Sequence, residues 1–257
     1  MRTRLLPSIV ITAGVLGCFQ SRFVVSQPRR PAEQVKSATP APPAPRLPNG
    51  HLDLSGVWMG GGGIAEKNLK PGDAILLTPE AKKIMDSRQL KDDPWVNCLP
   101  GGVPRLDGPH PWRLNQLPTH KPETHIFILF EGNTHSYRQI FMDVPQHPDD
   151  LDPSWYGHSI GRWEGDTLVV DTVGYNDKFW FHGAGHPHTM QLHTIERFTR
   201  TDLNTLSWDI TIIDPGAYQK PFTVHTTATL ATTELMEYIC QENNTNVPHL
   251  QGPANVQ

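Results

Sequence analysis

Five of the thirteen histidines fall between Trp155 and Thr199: His158, His182, His186, His188 and His193. Asp171, Glu196, Arg162 and Arg197 are interleaved with them, and Arg138 precedes them. Imidazole beside carboxylate is the composition of a general acid–base pair, and arginine can steady an anion that develops on a substrate. His158, Asp171, His193 and Glu196 are therefore the candidate acid–base residues. Arg138, His158, Arg162, Asp171, Trp180, His193 and Arg197 are the candidate ligand contacts. His186-Pro-His188 invites a metal reading, but His188 and His193 differ by an odd number of residues and face opposite ways in a regular strand. A three-histidine site would need a bulge, or help from His182 or Asp177. No cofactor is expected, with a transition metal at His182, His186 and His188 as the lesser alternative.

Gly157-His-Ser-Ile-Gly161 matches the G-x-S-x-G nucleophile elbow. That motif needs a sharp strand-to-helix turn, and no helix follows here. The pentapeptide reads instead as a strand face of small residues between Trp155 and Trp163.

The element that must place these groups is a hairpin. Trp155–Trp163 and Thr167–Thr172 read as two strands, the second dense in β-branched residues, with Gly165 supplying a positive φ between them. A two-residue loop at Glu164-Gly165 sets His158 opposite Asp171, and Arg162 opposite Thr167, on one face. On the next strand Glu196 shares a face with Leu192 and Phe198, while His193 and Arg197 share the other. Whichever face is inside, charge comes with it and must be paired. That leaves a structural ion-pair network, or a polar floor to a pocket.

Around the hairpin the chain holds 25 prolines, 21 glycines and only 19% charged residues, which suits short strands and turns. Segments near 53–58, 124–131, 135–142, 188–199, 206–213, 222–230 and 234–240 complete about nine strands. Thr78-Pro-Glu-Ala is a capped helix start, with the helix ending near Leu90. Residues 91–122 form a long proline-rich loop. Gly56-Val-Trp58 in the first strand resembles the opening of lipocalin and wider calycin barrels, where the tryptophan plugs one end. The expected fold is all-β: a lipocalin-like antiparallel up-and-down barrel with one short N-terminal helix and that long loop.

Residues 1–18 read as an export signal ending Val15-Leu-Gly-Cys18, a lipobox-like sequence that makes Cys18 the expected lipidation site. Residues 19–50 read as a Pro/Ala-rich tether, 51–242 as one barrel domain and 243–257 as a loose tail. Cys98 and Cys240 are then the two cysteines left to pair in an oxidising compartment. The net charge of −4 and the lack of a basic block after the leader argue against nucleic acid as a partner.

The run Gly161-Arg-Trp-Glu-Gly-Asp-Thr-Leu-Val-Val-Asp-Thr172, with Gly-Tyr-Asn-Asp177, Gly-His-Pro-His188, Asn97-Cys-Leu-Pro and Tyr238-Ile-Cys240, resembles a large group of secreted bacterial proteins. That group commonly reads Ser-Glu where this chain has Thr189-Met190. The resemblance implies export and fold, and carries over no activity. Together these readings imply a protein of the periplasm or outer-membrane surface, held to the membrane by lipid on Cys18. It would bind a small apolar or aromatic molecule in a barrel pocket. The alternative is a cofactor-independent or metal-assisted lyase, isomerase or hydrolase working with the same acid–base residues.

Overall fold

The computed structural model describes residues 40–105, 110–116, 123–132, 134–242, 244–245 and 247–254. The leader, Cys18 and most of the tether lie outside those residues. Nine strands close into one barrel in chain order. They are β1 (Gly56–Gly60), β2 (Trp112–Gln116), β3 (His125–Phe130), β4 (Tyr137–Phe141), β5 (His158–Glu164), β6 (Thr167–Val173), β7 (His193–Asp202), β8 (Thr205–Ile213) and β9 (Phe222–Leu230). β1 closes the ring against β9.

An odd number of strands cannot close with every neighbour antiparallel. One pair must run parallel, and here it is β4 and β5. A parallel pair cannot be joined by a tight turn, so the chain needs a long crossover between them. Residues 142–157 are that crossover, and they carry a histidine into the candidate site described below.

Two of the expected strands change. The segment 234–240 is not a strand. It lies along the barrel wall, held by Met236 N–H on Glu131 Oε2 at 2.7 Å and by the Arg113–Glu234 ion pair at 2.6 Å. The ninth strand is β2, inside the stretch read as irregular loop. Trp112-Arg-Leu-Asn-Gln alternates buried and half-buried residues, and the prolines around it hid that alternation. The chain also enters β7 later than expected, at His193, because Thr189–Leu192 forms a turn.

The helix α1 (Pro79–Ser87) starts as the sequence dictates: Thr78 Oγ1 accepts the Ala81 N–H at 3.2 Å. Cys98 and Cys240 form a disulfide across 142 residues of chain. The tether and tail are not wholly loose. Leu203 N–H donates to Pro42 O, Arg46 pairs with Asp166 at 2.7 Å, and Ala254 is completely buried.

Alternation fills the barrel. On β8, Leu206, Trp208, Ile210 and Ile212 point in; on β9, Phe222, Val224 and Ala228 do. Trp58, Trp112, Trp208 and Phe198 meet across the middle, with ring centroids 5.9 Å apart for Trp112–Trp208 and 5.1 Å for Phe198–Trp208. Each such side chain contributes about 2–3 kcal/mol by leaving water. These rings occupy the space that a ligand would need.

Candidate functional site

The β5–β6 turn is Gly165-Asp166, one residue later than expected, with Gly165 at φ +61° and Glu164 opposite Thr167. The register therefore sets Asp171 opposite Ile160, and His158 opposite Val173. Because the partner of each residue moves by two, the face is unchanged. His158 and Asp171 still lie on the same side, diagonally rather than directly across.

That side is the outside of the barrel. The inward residues of β4 to β8 form a separate polar group. Arg138 Nε donates to Ser159 Oγ at 3.0 Å, Nη2 to Thr172 Oγ1 at 2.8 Å, and Nη1 to Glu196 Oε1 at 3.0 Å. Nη2 also pairs with Glu196 Oε2. Trp208 Nε1 donates to Glu196 Oε1 at 3.1 Å. Arg138 is 1% exposed and Glu196 not at all. Burial alone would push the guanidinium pKa down; the adjacent Glu196 carboxylate more than restores it, so Arg138 stays charged. This is the ion-pair network, and it is closed: Ser159 is fully buried within it and cannot act as an exposed nucleophile.

Glu196 and Arg138 are thus separated by the sheet from the other candidates. Outside, Asp171 Oδ1 accepts from His193 Nε2 at 2.8 Å and from His147 Nε2 at 3.1 Å. The two Nδ1 atoms of His147 and His158 are 2.8 Å apart. His147 comes from the crossover and was not foreseen. A count of nine strands already required a long connection somewhere, and that was the one signal available for it.

With both imidazoles neutral, donor counting sets the tautomers of this chain. A carboxylate only accepts, so His147 carries its proton on Nε2 and offers Nδ1 as acceptor. His158 must then donate from Nδ1, which leaves its Nε2 as a lone pair. Burial, then the nearby His147, hold the His158 pKa below the ordinary value. His158 is thus a neutral base backed by a second imidazole and a carboxylate. Its ring stacks on Phe141 at 4.8 Å.

Beside it a cleft of about 400 Å³ opens between the start of the crossover and β5. Met142, Val144, Pro145 and Ile160 give it apolar walls, and Asp143 and Arg162 add charge. Ile160 is the next outward residue after His158, roughly 7 Å along the strand. A larger groove of about 680 Å³ lies between the 61–71 segment and β9. It is somewhat more open and more polar, and its histidine, His225, is already bound to Asp209 at 2.6 Å. The smaller cleft is the one lined by Ile160, the outward neighbour of His158 on β5.

The remaining expected residues fall elsewhere. Arg162 and Arg197 both bind Glu164 on the exposed outer face, at 2.9 Å. Trp180 is buried beneath Arg88, away from the other candidate ligand contacts. His182, His186 and His188 do not converge. The first two rings are 6.4 Å apart, while His188 sits against Phe179 and Phe181 with Nδ1 on Thr189 O. Among the described residues, no group of three or more His, Cys, Asp or Glu side chains is arranged to hold a metal ion.

The chain matches no family model, no curated protein and no solved structure.

Proposed function

We propose that this barrel binds a small, partly apolar molecule on its outer wall, in the cleft under the β4–β5 crossover, with His158 as its hydrogen-bonding partner. The observation that carries the reading is the cleft itself. Its volume is within the range of small-molecule sites, its walls are mainly apolar, and a basic ring nitrogen stands one outward position away. The packed interior favours this placement over a pocket along the barrel axis. The same tautomer chain supports a second reading, proton transfer to and from the bound molecule, with Asp171, His147 and His193 steadying the charge on His158. Export, with lipid on Cys18, is part of the proposal; it rests on the leader pattern, and the disulfide is compatible with it.

Native mass spectrometry of protein from its own host tests for a retained molecule. Methyl and histidine NMR during titration with a small aromatic acid such as benzoate then tests the place. Shifts should concentrate at Met142, Ile160 and the His158 ring. Shifts confined to Trp112 and Trp208, or to the groove around Lys67, would refute the site.

A further inference from the structure

Where α1 ends, positive charge gathers without a matching acid. Arg88 caps the helix, donates from Nη1 to Gly185 O at 2.8 Å, and lies 4.6 Å above the Trp180 ring. Burial lowers its pKa to about 10, and among the described residues no carboxylate is in ion-pair contact with it. Arg105, close enough to act on His182, does have an acid, Asp93 at 2.8 Å, and so uses it up. Lys67 adds a third cation near His182.

Two imidazoles complete the cluster. His182 Nδ1 accepts the Ala184 N–H at 3.1 Å, so its proton is on Nε2. His186 Nδ1 is buried with no hydrogen-bond partner. Burial first, then His182 and Arg88, lower the His186 pKa to about 4. The run Gly60–Gly63 has φ of +87°, +89°, +61° and +68°, and a Cβ on Gly63 would lie 3.9 Å from His182. Side chains at those positions would strain the backbone.

We propose that Arg88, His186 and His182 bind a small oxyanion, a phosphate or a carboxylate group. Three cations against one consumed acid favour an anion and disfavour a divalent metal. An anion would also give the orphaned His186 nitrogen a partner, provided that nitrogen carries a proton. A protonated His186 adds a positive charge to the site, so binding tightens as pH falls. The α1 carbonyls, Gly185 O and the Trp180 ring already steady Arg88 in part. None of them reaches the charge on Lys67, or satisfies His186.

The test uses the full chain with ¹⁵N-labelled histidine, titrated with sulfate, which does not itself titrate near neutral pH, and with acetate. Saturable shifts are expected on the His182 and His186 rings, with affinity rising severalfold from about pH 8 to about pH 6. Stronger binding by sulfate assigns the site to phosphate-like groups, and stronger binding by acetate to carboxylates. Arg88→Gln should weaken binding about tenfold, the loss of one charge-assisted hydrogen bond. His186→Asn, which keeps Arg88 in place, should abolish the pH dependence. Shifts that never saturate, or equal affinity in both variants and the parent, would overturn the site.

Discussion

The two faces of β5, β6 and β7 carry polar groups one residue apart and treat them in opposite ways. Inside, Ser159, Thr172 and Glu196 surround Arg138, and the carboxylate accepts from both the guanidinium and an indole. Outside, His158, Asp171 and His193 join His147 in a chain with acceptors to spare, His158 Nε2 among them. A saturated network has no free lone pair to offer, and it serves to hold five neighbouring strands in register. An under-filled one keeps a nitrogen for something else. Residue types alone do not distinguish structural from chemical polarity here; the count of donors against acceptors does.

The sharpest way to break that contrast is Glu196→Gln. It leaves the Arg138 charge buried without its counter-ion, and urea unfolding should show a loss of about 3–5 kcal/mol. A loss under about 1 kcal/mol would mean that the inner group is as soft as the outer one.

Acid sharpens it next, because buried histidines without a counter-charge are the extreme case of the inward face. His186 and His188 have folded pKa values of about 4, in both cases chiefly through burial. The unfolded chain binds protons first, so stability falls as pH drops from about 6.5 to about 4, by up to ~3 kcal/mol for each. Urea midpoints across that range should show it, and His188→Gln should flatten the slope. A flat profile in the parent protein would contradict their burial.

Gly161→Ala probes the boundary between the faces. Its new methyl would lie 2.5 Å from Met142 Sδ and 2.8 Å from Ile140, so thermal unfolding should reveal a cost of about 1–3 kcal/mol.

Asp171→Asn should cost less, under about 1 kcal/mol, because the outer chain is part-exposed. Proton NMR should place the His158 titration below its ordinary value in the parent and higher in His147→Gln, which removes the neighbouring imidazole that helps hold it down. An unmoved midpoint would detach His147 from His158. Smallest of all, Arg162→Gln should leave stability within about 0.5 kcal/mol while altering benzoate binding.

Much of this frame was legible in the sequence because barrel strands write themselves with period two. Alternation put Glu196 and Phe198 on one face of their strand, and Thr78 announced α1. The Gly165 turn was found one residue early, yet the His158–Asp171 face survived, since the error moved every partner by two. The strand Trp112–Gln116 was lost because proline density outweighed five alternating residues. Segment 234–240 was gained wrongly because its apolar and aromatic residues suit a strand, yet it pairs with none. Which face was inside could not be read at all, as both carry titratable groups among apolar ones. His147 was invisible for a different reason: it belongs to no periodic element and reaches its partners only through topology.

That topology has a further effect on how the wall holds together. The parallel junction has two paired backbone positions, Ile140 with Ser159 and Phe141 with Ile160, where β7 and β8 share nine. Its neighbours are stitched instead by side chains: Arg138 to Ser159, Ser136 to Tyr156, and the Phe141–His158 stack. Amide exchange should therefore start along this seam, making the crossover the place where the cylinder breathes.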